Sequence, residues 1–225
     1  MIIEFYNDPY RKEIKTKIKS VFEEDGKSCI VLEENIFYPQ GGGQRGDRGV
    51  LLIGDRKIDI VDTLKDKYSD NGSLLISKEK ITDDIVGQEV VCQLNWNFRC
   101  SQMRLHSALH LHHCMIEKVL GKKINNPLTA DIQDGFAFNR YDNSEITEET
   151  VNLANKEFKN IVASGAEVKT CPDIEKSGWR WWECLGYKIP CGGTHIKDIK
   201  EIGEVEIKYS NKKGKSTINI QLKNN

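Results

Sequence analysis

The sequence predicts an α+β protein in two parts: a small all-β unit over residues 1–92 and an α+β unit over residues 93–225. Three observations predict it. Short apolar runs broken by Gly, Asp and Asn fill the first ninety or so residues. Apolar residues at helical spacing begin near Asn95 and recur after Thr147. Strand-like segments with turn residues follow each helical stretch.

In chain order, SCIVLEENIFY reads as a strand running into PQGGGQRGDRG. GVLLIGDRKIDIVDTL reads as a hairpin turning at Gly54-Asp55, because a short polar Gly-Asp pair between apolar runs is a hairpin signal. SLLISKEKI and QEVVCQLNW continue the pattern, with a further turn at Asp70-Asn71-Gly72. Asn95 or Asn97 caps a helix from about Phe98 to Leu120, which Gly121 stops. LTADIQDGFAFNRYD reads as a hairpin. Thr147 caps a second helix that runs to Ser164, with Glu148 and Glu149 in its favourable first turn and Gly165 at its end. GEVEIKYSNKKGKSTINIQL closes the chain as two strands around a Lys-Lys-Gly turn.

The chain has 225 residues, 38% hydrophobic and 30% charged, a balance that allows a real core and argues against wholesale disorder. No apolar run approaches the roughly 18 residues a membrane span needs. The N-terminal MIIEFYNDPYRKEIK lacks the apolar core of a signal peptide, so a cytoplasmic location is expected. Seven scattered cysteines with no CxxC pair point to free thiols or a metal ligand rather than a disulfide scaffold. A net charge of -1 gives no global nucleic-acid signature, so any RNA contact must be local. Lys118, Lys122 and Lys123, and Lys212, Lys213 and Lys215, are the candidate basic clusters. Trp179, Trp181 and Trp182 divide between core packing and base stacking.

RLHSALHLHHC holds four of the five histidines. Residues four apart share a helix face, so His106 and His110 can grip one metal ion. The glutamate of a metalloprotease helix is absent, since Ser107 occupies its place. His110 with His113 is a rival pair that spacing leaves open, and His112 points elsewhere. PCGGTH adds a thiolate candidate, Cys191, and an imidazole, His195, joined through two glycines that let the backbone turn tightly. Two helix histidines plus this Cys and His make a four-ligand set suited to zinc. In FYPQGGGQRGDRG, three glycines precede Gln44, Arg45, Asp47 and Arg48. The loop exposes backbone N–H groups but lacks the Gly-Lys-Ser/Thr ending of a phosphate-binding P-loop.

Taken in order, FYPQGGGQRGDRG, HSALH and PCGGTH resemble the editing domain of alanyl-tRNA synthetase and its freestanding relatives, the AlaX trans-editing proteins, of the medium-length type with the glycine-rich motif. The likeness extends along LNWNFRCSQMRLHSALHLHH and CGGTHIKDIKEIGEVEIKYSNKKGK. The resemblance implies an N-terminal β-barrel carrying the glycine motif. It also implies a zinc-containing editing domain of the type found as the second additional domain of threonyl- and alanyl-tRNA synthetases. One zinc ion per chain is implied on His106, His110, Cys191 and His195, with His113 as a supporting or pocket-wall residue. The implied activity is hydrolysis in trans of mischarged tRNA(Ala) at its acceptor end, chiefly Ser-tRNA(Ala), with Gly-tRNA(Ala) as a further candidate. Neither a membrane nor an obligate protein partner is implied. Zinc would lower the pKa of its water towards about 7, with Ser107 and the backbone of Gly192, Gly193 and Thr194 around the ester carbonyl. Gly41, Gly42, Gly43 and Gln44, with Thr129 and Asp131, are the candidate substrate-binding residues. The chain departs from the family pattern at Ser107, where threonine is usual, at Asn95, where an acid is usual, and at STINIQL, where relatives often carry arginines. Editing of another mischarged tRNA such as Ser-tRNA(Thr), or a non-catalytic RNA-binding module with a structural zinc, are the alternatives.

Overall fold

The computed structural model describes residues 2–67 and 72–223, so Asp70 and Asn71 of the expected turn lie outside the described residues. The chain divides into two compact units, Met1–Gly41 with Arg45–Cys100, and Gly42–Gln44 with Ser101–Asn225. The division falls inside the glycine motif and inside a helix. Among the described residues no helix is long and apolar enough to cross a membrane.

The first unit comprises β1 (Ile2–Ile3), α1 (Glu4–Asn7), β2 (Glu13–Glu24), β3 (Lys27–Leu32), β4 (Glu34–Asn35), β5 (Gly49–Ile53), β6 (Arg56–Ile60), β7 (Asp62–Lys65), β8 (Ser73–Ser77) and β9 (Glu89–Leu94). The hairpin at Gly54-Asp55 joins β5 to β6 as expected, with Ile53 opposite Arg56. The long strand β2 was not singled out in the sequence, because its charged alternation, EIKTKIKSVFEE, hides its apolar face. Ile14 and Ile18 are that face, both buried.

Seven strands pair in the order β6-β5-β9-β2-β3-β8-β7. This sheet is not the closed barrel that the resemblance implies. Its two ends, β6 and β7, are joined only by Val61, and consecutive strands need a turn of at least two residues to pair with each other. Instead the chain changes partner there: Val61 N–H donates to Ile76 O (2.9 Å) on β8. The other corner is β2, which pairs β9 through Glu13–Lys17 and β3 from Ile18 onward, with a register shift between Ile18 and Ser20. The sheet folds over one core that includes Ile14, Ile18, Ile30, Leu32, Leu51, Ile58, Leu75 and Val90. Each fully buried side chain of this kind contributes about 1.5–3 kcal/mol.

The helix α2 (Trp96–Leu120) begins two residues before the expected Phe98. Asn95 is its cap, accepting from Phe98 N–H through Oδ1 at 3.2 Å. It ends as expected at Gly121, whose φ of 67° lets Gly121 N–H reach Lys118 O and Lys122 N–H reach Glu117 O. Its first turn belongs to the first unit and the rest to the second.

The second unit adds β10 (Thr129–Ile132), β11 (Phe136–Tyr141), α3 (Glu148–Ser164), β12 (Lys169–Pro172), β13 (Arg180–Cys184), β14 (Tyr187–Pro190), β15 (Val205–Lys212) and β16 (Lys215–Leu222). Thr147 caps α3 by accepting from Thr150 N–H, and Gly165 ends it, both as expected. The two expected hairpins, β10–β11 and β15–β16, merge into one antiparallel sheet in the order β10-β11-β16-β15. Lys213 and Gly214, with φ of 53° and 78°, close the last hairpin, the signature of a tight two-residue turn. One face of this sheet buries Ile132, Ala137, Asn139, Tyr141, Ser216, Ile218 and Ile220. The segment over residues 169–190 forms a separate three-stranded sheet, β12-β13-β14. Its Trp182 is fully buried, whereas Trp179 remains 45% exposed.

Candidate metal centre

Four side chains of the second unit converge. His106 and His110 project from α2, and Cys191 and His195 from the loop after β14. Their donor atoms all lie within 4.8 Å of one another. Cys191 Sγ stands 3.3 Å from His106 Nε2 and 3.2 Å from His195 Nε2. Of the two histidine pairs that spacing left open, the structure assembles His106 with His110.

The loop reaches the helix because Gly193 has no side chain. A Cβ there would sit 2.2 Å from His106 Cε1, an impossible contact with a ring held on both sides. The same loop turns Gly193 N–H onto Cys191 Sγ at 3.3 Å, a donor that favours a thiolate.

The glycine motif holds the first ligand. Gln44 is fully buried. Its Nε2 donates to Thr194 Oγ1 (2.8 Å), and its Oε1 accepts from Thr194 N–H (3.0 Å). Those two bonds fix the amide's orientation, so the oxygen faces His106 Nδ1 at 3.0 Å. Nδ1 must then carry the proton, which leaves the Nε2 lone pair for a metal. Gly43 is placed for this by its carbonyl, which accepts from Ile132 N–H on β10 at 2.9 Å. A Cβ on Gly43 would meet Ala130 O at 2.8 Å. On the opposite flank, Ser107 Oγ lies 3.0 Å from His195 Nδ1 and turns the other ring nitrogen toward Cys191.

The electrostatics suit a cation. Burial lowers His106 to about 4 and lowers His110 and His195 well below the ordinary imidazole range, the last two also through the neighbouring rings. All three rings are therefore neutral near pH 7, the form that binds metal. Burial raises the Cys191 thiol to about 11, so its anion requires a cation beside it. His110 Nε2 is buried and has no hydrogen-bond partner. A buried polar atom left unpaired costs about 1–3 kcal/mol, a cost that a metal bond would remove. The four residues thus fit a metal ion. Trp182 backs the cluster, with its ring 5.2 Å from that of His110.

Beside the cluster lies a cavity of about 370 Å³ whose walls include Gly42, His106, His110, His113, Asn126 and Asn139. His113 Nδ1 lies 3.0 Å from Tyr141 Oη, and its Nε2 lies 3.5 Å from Glu117 Oε1. Asn139 Nδ2 donates to Tyr141 Oη at 3.1 Å. Two pocket residues therefore share one buried network. Asn126 and Asn139 were not singled out in the sequence. A signal existed for Asn139, since strand alternation in FAFNRY sets it on one face with Ala137 and Tyr141.

The structure distributes the remaining candidates differently from expectation. Ser107 is fully buried with its Oγ against His195 Nδ1, and it is not among the residues that line the cavity. The N–H groups of Gly193 and Thr194 are engaged by Cys191 and Gln44. Of the three expected backbone donors, only Gly192 N–H lacks a protein partner among the described residues. Gly41 belongs to the first unit, where its carbonyl accepts from Tyr38 Oη. Thr129 and Asp131 alternate with the pocket residue Ala130 on β10, so their side chains leave the strand on the other face. His112 is buried against α3, with Nε2 2.8 Å from Asn155 Oδ1.

The fold and site define an α+β protein with a three-histidine, one-cysteine cluster that could hold a metal ion, beside a small cavity. No family model matches the chain. The alanyl-tRNA editing protein AlaX-M of Pyrococcus horikoshii is 32% identical over 212 residues, which cover 90% of this chain and 88% of that protein. The alanyl-tRNA editing protein AlaX-L of the same organism is 29% identical over 240 residues, 97% of this chain and 56% of its own. The alanine–tRNA ligase of Methanococcus aeolicus is 28% identical over 229 residues, 90% of this chain and 23% of the ligase. The chain belongs to the family of alanyl-tRNA editing proteins.

Proposed function

We propose that this protein is a cytoplasmic hydrolase that deacylates mischarged tRNA(Ala) in trans, with Ser-tRNA(Ala) as its chief substrate. The observation that carries the reading is the orphaned His110 Nε2, set in a four-donor cluster at the wall of a cavity, in a chain of the alanyl-tRNA editing family. Three imidazoles and a thiolate are the donor set of zinc. His106, His110, Cys191 and His195 would hold it. Zinc, when bound, supplies a positive charge that polarises an ester carbonyl and acidifies water.

The chain's own residues bind and orient. Gln44 and Ser107 fix the two outer imidazoles. Gly42 leaves the cavity wall open to the aminoacyl end, and Gly192 N–H is the backbone donor left for the acyl oxygen. Asn126 and Asn139 offer hydrogen bonds to the serine hydroxyl and ammonium. Alanine is smaller than serine, so size cannot exclude it, and discrimination must come from polar groups left unpaired when the hydroxyl is missing. An aminoacyl ester is already labile, which makes positioning a large part of the catalysis.

The test is deacylation by zinc-loaded protein. Serine should be released from Ser-tRNA(Ala), while Ala-tRNA(Ala) and Ser-tRNA(Thr) remain intact, and His106→Ala should fall to the uncatalysed rate. A closed set of four protein donors is also the pattern of structural zinc. Intact Ser-tRNA(Ala) after incubation would leave that second reading, an RNA-binding module, in its place.

A further inference from the structure

The two lysine clusters singled out in the sequence have different surroundings. Lys118, Lys122 and Lys123 are each paired with a carboxylate, to Glu157, Glu145 and Glu117 at 2.5, 2.8 and 2.7 Å. Lys212 and Lys215 have no acidic partner among the described residues, nor does Arg140. In a protein of net charge -1, such a group of uncompensated cations is a local feature.

Register gathers these three on one face. Side chains alternate along a strand, so the face opposite the buried Ala137, Asn139 and Tyr141 carries Phe136, Phe138 and Arg140. Arg140 stands across from Thr217, and Thr217 across from Ser210. Lys215 stands across from Lys212. A hollow of about 370 Å³ opens among Arg140, Ser210, Lys212, Lys215, Thr217 and Asn219. In the next rows lie Phe138, with the Arg140 guanidinium 5.7 Å from its ring, and Phe136, which is 41% exposed. The face thus sets a cationic hollow lined with hydroxyl and amide groups beside two aromatic rings.

We propose that this outer face of the β10-β11-β16-β15 sheet is an RNA-docking surface. Arg140, Lys212 and Lys215 contact phosphates, and Phe136 and Phe138 offer platforms for unpaired bases. Cations tracking a backbone beside aromatic stacking rings are the chemistry by which proteins hold single-stranded nucleic acid. A polyanion complements the uncompensated charge, and the ribose hydroxyls of RNA complement Ser210, Thr217 and Asn219. The proposal rests on the editing reading for its occupant, the tRNA itself. On β11 the alternation then divides two tasks: Asn139 faces the aminoacyl cavity, and its neighbour Arg140 faces the nucleic acid.

The test is the double charge reversal Arg140→Glu with Lys215→Glu, whose side chains leave the core untouched. Uncharged tRNA(Ala) transcript is titrated at several salt concentrations, and Ser-tRNA(Ala) deacylation is measured alongside. The reversal should weaken tRNA binding at least tenfold and reduce the salt slope by about 2, one for each lost phosphate contact. KM should rise with kcat held within about twofold. Lys118→Glu with Lys122→Glu should change neither. Phe136→Ala should weaken binding without changing the salt slope. Equal affinity and slope for the Arg140/Lys215 variant and the wild type would overturn the surface, as would no binding of tRNA by the wild type. Salt-dependent binding through this face by a protein that fails to deacylate Ser-tRNA(Ala) would sink the editing reading and leave the surface standing.

Discussion

Each unit buries a tight cluster of polar side chains, and these two clusters are finished differently. In the first unit, Arg99 is fully buried and every nitrogen of its guanidinium donates a hydrogen bond. Its Nε donates to Asp47, Nη1 to Pro9 O at 2.9 Å, and Nη2 to Ile36 O at 2.7 Å and to Asp47. Asp47 Oδ2 also accepts from Tyr38 N–H at 2.6 Å. In the second unit, three neutral histidines and a thiol crowd together, and His110 Nε2 is left with no partner. The contrast separates two reasons for burying polarity. A cluster in which every polar side-chain nitrogen and carboxylate finds a partner within the chain is architecture. A cluster that leaves a donor atom open is built for something the chain does not contain.

The sharpest way to break that comparison is to remove one member of each cluster and put an apolar side chain in its place. Arg99→Leu strands the buried Asp47 carboxylate, which should cost about 3–5 kcal/mol. Urea denaturation of the first unit should show it as a lower midpoint with an unchanged slope. A loss below about 1 kcal/mol would mean that the pair is not structural.

His110→Leu should behave in the opposite way. It removes an unpaired polar atom and keeps most of the volume, so the stability of the metal-free protein should stay within about 1 kcal/mol. Zinc bound per chain, measured by mass spectrometry under native conditions, should fall from one to near zero, and deacylation should go with it. Unchanged zinc content would overturn the assignment of His110 as a ligand.

The sequence made the ligands legible and much of their support illegible, for physical reasons. His106 and His110 announce themselves by helical spacing, and Cys191 and His195 by a tight glycine turn. Local signals also placed α2, α3, their caps and the hairpins, because Asn95, Thr147, Gly121 and Gly165 act within a turn of themselves. That the seven-stranded sheet stays open between β6 and β7 was not legible, since it depends on which partner Val61 takes at a corner. Nor were the partners of Ser107 and Thr194, the first expected to act through its hydroxyl and the second through its backbone at the ester carbonyl. The structure commits both, one to His195 and one to Gln44. Thr129 and Asp131 alternate on β10 with Ala130, the residue of that strand that lines the cavity, and in a strand one residue of phase changes faces.

The smallest expected effect tests whether the glycine motif belongs to the metal centre. Gln44 is fully buried; it accepts from His106 Nδ1–H and is held there by Thr194. Partners of this kind orient a metal-binding imidazole and typically account for a 10- to 100-fold change in metal affinity. Gln44→Ala should therefore weaken zinc binding by that factor in competition with a chelator, and saturating zinc should restore most of the deacylation rate. Thr194→Val removes only the hydroxyl that anchors Gln44 Nε2 and keeps the N–H that anchors Oε1, so its effect should be smaller and in the same direction. A Gln44→Ala protein that keeps its zinc affinity but loses its rate would put Gln44 at the substrate rather than behind the ligand. The motif would then have to be reassigned from holding the metal to binding the aminoacyl end.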